Sequence, residues 1–164
     1  MTGKAWKFGD NISTDLICPG RLYHLRSDLP ELAKHVLEDA DPAFASKMSP
    51  GDFVVGGRNF GLGSSREHAP MIIKLAGVRA VIATSFARIF FRNCINVGLP
   101  AIELDTDAID PGDELELELA AGVLTNRTQG TELSFPPLPT VMRQILDDGG
   151  LVEHIRKHGD FKLE

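Results

Sequence analysis

Three short apolar runs alternate with two amphipathic segments in the middle of the chain. The runs FVVGG, RAVIATS and LPAIEL predict buried strands of a parallel sheet at residues 53–57, 79–85 and 99–104. Between them, apolar residues recur at helical spacing over residues 65–76 and 86–98, which predicts two helices. This order of strand, helix, strand, helix and strand indicates an α/β layered domain.

The amino-terminal part has weaker patterns. Residues 1–10 predict an opening strand that carries Trp6 and Phe8 on one face, because side chains on the same face of a strand recur every second residue. Residues 22–29 have no regular pattern and predict an irregular, exposed loop. Residues 30–40 then predict a helix, with a proline in its first turn.

The carboxyl-terminal part changes character. Leucine alternates with glutamate over residues 114–119, and the chain then turns back, which predicts a hairpin with one solvent-exposed face. Residues 141–159 predict a helix that breaks at Gly149 and Gly150 and then resumes.

Composition narrows the class of protein. A length of 164 residues fits a single domain over residues 1–164. A net charge of -6 without a basic block argues against nucleic acid or an anionic membrane as a partner. No apolar run reaches the roughly 18 residues of a membrane span and the first residues do not resemble a signal peptide, so we expect a cytoplasmic protein. Neither the two cysteines, Cys18 and Cys94, nor the histidines show a metal-ligand spacing, and we expect no metal site.

The stretch GLGSSREHAP, residues 61–70, concentrates polar groups at the predicted start of the first central helix. Ser64 and Glu67 match a capping box, which is a purely structural explanation. Arg66 does not fit it, because a cation in the first turn of a helix opposes the helix dipole by roughly 0.3 to 1 kcal/mol. A bound anion would remove this conflict, and Gly61 and Gly63 would let the backbone approach it closely.

The chemistry of the stretch favours a carboxylate over a phosphate. Ser64, Ser65 and Arg66 supply two hydroxyl groups and a forked guanidinium. The spacing of a phosphate-binding P-loop is absent, and so is the G-x-S-x-G turn of hydrolases. A small carboxylic acid is therefore the expected ligand, and a simple helix cap remains the alternative.

Three segments carry a resemblance to a known family: NFGLGSSREHAP, WKFGDNISTDLI and SFARIFFRNCINVGLP. In order and spacing they resemble the small subunits of 3-isopropylmalate dehydratases, a branch of the aconitase superfamily. The resemblance covers nearly the whole chain, and Leu62 stands where many relatives have cysteine. It implies a swivelling β/β/α layered domain, equivalent to the last domain of aconitase.

The resemblance also implies roles for individual residues. Ser64 matches the general base that removes a proton from the carbon next to a carboxylate. Ser65 and Arg66 match residues that hold the substrate carboxylate, Asp15 matches an active-site aspartate, and Arg26 lies close to a substrate-binding arginine. Without the resemblance, Asp15 would be a turn cap and Arg26 a solvated loop charge.

The implied chemistry requires a second chain. Making a serine alkoxide near neutral pH requires roughly 7 kcal/mol, whereas a helix N-terminus supplies at most about 2 kcal/mol and each charged hydrogen bond about 1.5 to 3 kcal/mol. In the family, a larger subunit carries a [4Fe-4S] cluster that acts as a Lewis acid, and the two dispersed cysteines of this chain cannot bind such a cluster. We therefore expect an iron–sulfur partner, no cofactor on this chain, and an isolated chain that is folded but inactive.

The implied reaction is a dehydration followed by rehydration on the neighbouring carbon, which interconverts 2-isopropylmalate and 3-isopropylmalate in leucine biosynthesis. Homoaconitate or a methyl-substituted malate is an alternative substrate, because Arg26 suits a third carboxylate whereas Leu22, Tyr23 and Leu25 suit an isopropyl group. A non-catalytic carboxylate-binding module is a further alternative.

Two other groups are expected to matter less. Arg88 and Arg92 lie four residues apart on a predicted helix, and this spacing favours surface salt bridges over a place in the substrate site. His68 is expected to support neighbouring residues or to pack in the core, and not to transfer protons.

Overall fold

The structure is a computed structural model that describes residues 2–64 and 66–159. Its strands are β1 (Thr2–Lys7), β2 (Phe53–Gly56), β3 (Ala80–Ala83), β4 (Ala101–Glu103), β5 (Glu114–Glu118), β6 (Val123–Asn126) and β7 (Thr131–Ser134). Its α-helices are α1 (Thr14–Ile17), α2 (Leu29–Ala33), α3 (Phe44–Lys47), α4 (His68–Ala76), α5 (Arg88–Val97), α6 (Thr140–Asp147) and α7 (Leu151–His158). A 3₁₀ helix spans Gly20–Leu25. None of the described helices is long and apolar enough to cross a membrane.

All the strands belong to one sheet in the order β4-β3-β2-β1-β5-β6-β7. The first four in this order are parallel and the last three are antiparallel, with β1 as the strand that both halves share. The first half of β1 pairs with β5, where Gly3 lies opposite Leu115, and its second half pairs with β2, where Trp6 lies opposite Val54. The parallel centre expected from the apolar runs is therefore present.

The sheet separates two hydrophobic clusters. Phe53 and Val55 of β2 point to one face, where they share a cluster with Leu115, Leu124 and Phe135 from the antiparallel half. The residue between them, Val54, points to the other face and packs in a cluster with apolar residues of the helices, namely Ile17, Leu32, Ile72, Ile73 and Phe90. The sheet thus curls over itself on one side and is covered by helices on the other, which gives β/β/α layering.

Several local predictions are confirmed. Trp6 and Phe8 both contact the ring of Phe44 edge-on, with ring centroids 5.3 and 5.6 Å apart. The carboxyl-terminal helix breaks at Gly149 and Gly150, between α6 and α7. The hairpin of β5 and β6 forms as expected, but β7 was not predicted, because three of its four residues are exposed and it has no apolar alternation.

The predicted start of the first central helix is wrong. The segment 65–76 becomes helical only at His68, and the residue before it, Glu67, makes no side-chain capping bond among the described residues. The capping box of Ser64 and Glu67 therefore does not form, and Arg66 precedes the helix. The hydroxyl of Thr14 donates a 2.9 Å hydrogen bond to the carbonyl of Ser64, which keeps this segment in a loop conformation.

The helix predicted over residues 30–40 is also shorter than expected. It ends as α2 at Ala33, and the following residues form turns. Leu37 adopts a left-handed backbone conformation with φ of +55°. Its amide donates a hydrogen bond to the carbonyl of Ile17 at 2.9 Å. A tertiary contact thus overrides the local helix preference.

Asp113 connects the turn before β5 to the end of β6. Its carboxylate is buried and accepts hydrogen bonds from Asn126 Nδ2 at 2.8 Å, from Gln129 Nε2 at 2.7 Å and from the amide of Asp110 at 2.9 Å. Burial alone raises the pKa of this carboxyl, but these hydrogen bonds outweigh burial and hold the pKa below its usual value of 3.8.

We expect Asp113 to stabilise the fold in a pH-dependent way. Because the pKa is lower in the folded state, the stabilisation is complete above the usual pKa and disappears as the pH falls below it. Asp113→Asn should lower the free energy of unfolding by about 1–3 kcal/mol at neutral pH, since the three donors lose a charged acceptor. Thermal unfolding of both proteins is followed by circular dichroism between pH 7 and 3. The difference in Tm between them should become smaller as the pH falls, and a difference that stays constant would contradict this explanation.

Candidate active site

Three loops meet at the carboxyl edge of the parallel strands. The loop after β2 lies between the loops that follow β1 and β3. On one side the amide of Gly61 donates to Ile12 O at 2.7 Å and the amide of Thr14 donates to Leu62 O at 2.9 Å. On the other side the amide of Phe60 donates to Ser85 O at 3.0 Å. Ligand sites of α/β proteins form at this edge, because loops from neighbouring strands converge there.

Gly61 fixes how close the loop after β2 lies to α5. Its φ is +85°, and a Cβ atom at this position would lie 2.1 Å from Cγ of Phe90. Any side chain at residue 61 would therefore push the loop away from α5. The first glycine of the GLGSSREHAP stretch is thus required by packing, as well as by backbone conformation.

Ser64 lies at the exposed tip of this loop. Its carbonyl accepts the bond from Thr14, whereas its hydroxyl has no hydrogen-bond partner among the described residues. The side chain is therefore available to a ligand. Ser65, the neighbouring predicted ligand residue, lies outside the described residues.

Arg66 and Asp15 form an ion pair across the two loops. Arg66 Nη1 lies 2.8 Å from Asp15 Oδ1, and the same nitrogen lies 3.4 Å from the carbonyl oxygen of Cys18. Ser13, not Asp15, caps α1, because its hydroxyl accepts from the amide of Leu16. The turn-cap alternative for Asp15 is therefore wrong. The charge of Arg66 that suggested a bound anion is balanced, at least in part, by this carboxylate.

Arg26 joins the site through an aromatic ring. Its guanidinium carbon lies 4.7 Å from the centre of the Tyr23 ring, and that of Arg66 lies 5.3 Å from the same ring. Tyr23 thus contacts two cations, which its electron-rich face attracts. The edge of the ring also meets His68, with ring centroids 6.2 Å apart. Arg26 remains exposed, so its guanidinium is accessible to a ligand or partner.

A cavity of about 220 Å³ opens beside Ser64. Its polar lining comes from the segments that follow β1 and β2 and from α5, and comprises Thr14, Ser64, Arg66, Arg88 and Asn93. Arg88 is the first residue of α5, and the residue before it makes no side-chain capping bond among the described residues. The free amides of the first helical turn, together with Arg88 and Arg66, give this cavity a positive character.

Arg88 lines the cavity instead of forming the surface salt bridge expected from its spacing to Arg92. Neither Arg88 nor Arg92 forms an ion pair with a described residue, so the predicted salt bridges are absent from this part of the chain. The signal that was used for Arg66, a cation in the first turn of a helix, applies in fact to Arg88. The conflict with the helix dipole was considered only at Arg66, although Arg88 lies in the first turn whether the helix begins at residue 86 or at residue 88.

The cysteines do not suit an iron–sulfur cluster. Cys18 and Cys94 are both buried, and Cys94 is enclosed in the core between the sheet and the helices. Burial raises the pKa of both thiols, and Arg66 only partly opposes this effect at Cys18. Clusters of this kind bind several thiolates, so this chain does not have the ligands for one.

Comparison with known proteins shows the family of this chain. Residues 26–107 match the aconitase C-terminal domain. The chain is 65% identical to 3-isopropylmalate dehydratase small subunit 2 of Archaeoglobus fulgidus, over 99% of both chains. It is 61% identical to 3-isopropylmalate dehydratase small subunit 1 of Thermotoga maritima, over 98% of both chains. The chain belongs to the family of 3-isopropylmalate dehydratase small subunits.

A solved member of the family has the same fold. The crystal structure of 3-isopropylmalate dehydratase from Methanocaldococcus jannaschii superposes with a TM-score of 0.92 at 44% identity, covering 96% of this chain and 94% of that one. The expected family and its β/β/α fold are therefore confirmed. As a member of the 3-isopropylmalate dehydratase small subunits, the chain is part of a hydro-lyase.

Gly61 offers a direct test of the loop geometry, because Gly112 has the same φ of +85° but open space around it. Both Gly61→Ala and Gly112→Ala should incur the roughly 1–2 kcal/mol of a left-handed alanine. Only Gly61→Ala meets Phe90, and overpacking should destabilise it by about 1–3 kcal/mol more. Urea unfolding of the two variants measures this difference; equal losses would mean that the loop does not pack on α5 as described.

Proposed function

We propose that this chain supplies the general base and the carboxylate-binding groups of a 3-isopropylmalate dehydratase, which interconverts 2-isopropylmalate and 3-isopropylmalate. The observation that carries the proposal is the cavity beside Ser64. There, an exposed hydroxyl without a described hydrogen-bond partner shares one space with the cations Arg66 and Arg88. An uncommitted hydroxyl beside converging positive groups suits proton removal next to a carboxylate.

Substrate binding follows from the charges. The substrates are dicarboxylates, and a chain of net charge -6 needs a local positive site to hold them. One carboxylate binds at the amino end of α5, between Arg88 and Arg66, where amide and guanidinium donors converge. Ser65 and Arg26 are the other substrate-binding residues. Arg26 stacks on the ring of Tyr23 and reaches the substrate from the exposed side of that loop.

Proton transfer is the task of Ser64. Its alkoxide takes the proton from the carbon next to the bound carboxylate, and the electron pair of that C–H bond forms the carbon–carbon double bond as the hydroxyl leaves the neighbouring carbon. In the second half, water adds with its hydroxyl on the other carbon, and Ser64 returns the proton. The positive groups around the cavity stabilise the alkoxide in the closed site.

Asp15 acts on this chemistry through Arg66. The resemblance suggested a catalytic aspartate, but the ion pair of 2.8 Å supports a positioning role. With the carboxylate on one side and the Tyr23 ring near it, the guanidinium has few other orientations. Asp15 therefore sets where the substrate carboxylate binds.

A large subunit completes the site, as the small-subunit name of the relatives implies. The hydroxyl that leaves the substrate needs an acid, and the described residues of this chain offer none placed for it in the cavity. We assign the [4Fe-4S] cluster to that partner, because both cysteines here are buried and neither lines the cavity. The relatives at 44–65% identity are named for 3-isopropylmalate, which favours this substrate over homoaconitate or a methyl-substituted malate and over a non-catalytic module.

Ser64→Ala tests the general base. In a complex reconstituted with the large subunit, the change should lower kcat by about 10²–10⁴-fold, the usual contribution of a positioned base. The free energy of unfolding should change by less than about 0.5 kcal/mol, because the hydroxyl makes no described hydrogen bond. Ser46→Ala, at an exposed serine of α3, is the control. A Ser64→Ala complex that keeps its kcat would favour the non-catalytic module.

Arg88→Ala tests the carboxylate site, with Arg92→Ala as a matched control. Both arginines are exposed on α5, but only Arg88 lines the cavity. Losing a charged hydrogen bond of about 1.5–3 kcal/mol should raise KM for 3-isopropylmalate by roughly 10- to 150-fold in the Arg88 variant. Steady-state kinetics together with a measurement of complex formation separates binding from assembly. Equal effects of both substitutions on KM would place the carboxylate elsewhere.

A further inference from the structure

Three side chains with metal-binding atoms meet where α6 ends and α7 begins. Asp148 follows the last residue of α6, and His154 and His158 lie one turn apart on α7. His154 Nδ1 is 2.8 Å and His158 Nε2 is 3.0 Å from Asp148 Oδ2. One ligand atom from each residue lies within 4.8 Å of the other two. None of these residues belongs to the Ser64 cavity.

We propose that Asp148, His154 and His158 form a binding site for a divalent transition-metal ion of the Zn²⁺ type. Two imidazole nitrogens and one carboxylate oxygen are a donor set that zinc uses, with a fourth position left for water. Histidines four residues apart on a helix place both rings on the same side of it, as in zinc-binding helices. The spacing of the histidines was not expected to bind a metal, and on this proposal that expectation is wrong for His154 and His158.

The burial of the three residues suits an ion held from one side. The side chain of His154 is 0% exposed and that of Asp148 is 7% exposed, whereas His158 is 24% exposed. An ion would therefore have the buried His154 and Asp148 on its inner side and solvent on the side of His158, where a water molecule completes the coordination. Such a site is partly enclosed rather than a surface cluster.

The backbone fixes the ligands in advance. Gly150, between the two helices, has φ of +129°, and a Cβ atom there would lie 2.7 Å from the carbonyl oxygen of Asn96 on α5. The turn is thus packed against α5 and does not swing freely. Ligands on packed helices need little reorganisation to bind an ion.

Lys157 is the cation among the described residues that contacts this cluster and opposes binding. Its Nζ lies 3.1 Å from Asp148 Oδ1, while both histidines contact the other oxygen, Oδ2. The ion takes Oδ2 and replaces the two Asp–His hydrogen bonds, with the ring nitrogens that now face Oδ2 binding the ion through their lone pairs. The ion then links the end of α6 to α7 and stabilises this helix pair.

Titration of the untagged full chain with ZnSO₄ after treatment with a chelator tests the site. Calorimetry at neutral pH should show one saturable ion per chain, and Tm should rise when the ion is in excess. His158→Ala should weaken binding by at least about tenfold, whereas His24→Ala, an exposed histidine outside the cluster, should leave it unchanged. Visible absorption of the Co²⁺-loaded chain should have the intensity of a tetrahedral site.

Asp148→Asn provides a second variant should His158→Ala fail to fold, because it keeps the size of the side chain and removes only the charged ligand. Loss of binding in either folded variant supports the site. Zn²⁺ binding that is absent in the unmodified chain, or equal in the unmodified chain and both variants, overturns it.

Discussion

The backbone pairing between the loops after β1 and β2 is the constraint on which the rest of the site depends. Two hydrogen bonds, from Gly61 to Ile12 and from Thr14 to Leu62, hold these loops side by side. They bring Asp15 to Arg66 and place Ser64 at the mouth of the cavity. No single element carries the site, because its groups come from residues about 50 positions apart that the parallel sheet brings together.

The distribution of charge around this junction explains why Arg66 and Arg88 have different roles. Arg66 has a carboxylate of the same chain beside it, which fixes its direction but reduces the positive charge that it offers to a ligand. Arg88 has no such partner among the described residues and stands at a helix start, where a cation is unfavourable on its own. A bound dicarboxylate would relieve this second conflict, so a substrate stabilises the site that binds it.

The sequence predicted the parts of the fold that depend on local pattern. Val54 and Val81 lie in continuous apolar runs, and runs of this kind form the buried parallel strands. The family resemblance located Ser64, Arg66, Asp15 and Arg26 within one region. What it could not provide depended on contacts between distant residues: the left-handed Leu37 held by Ile17, and the loop at Ser64 held by Thr14. The late start of α4 removes Arg66 from the helix terminus where the sequence pattern placed it, whereas Arg88 does lie at a helix start.

The division of β1 between two partners has a consequence for how the molecule folds. Residues 2–4 bond to the antiparallel half and residues 5–7 to the parallel half, so one strand of six residues is the seam of the whole sheet. Neither half keeps its edge satisfied without that seam, and the loop with Asp15 continues directly from it. We therefore expect the antiparallel half of the sheet and the loops around Ser64 to form together when the chain folds, and to be lost together if β1 detaches.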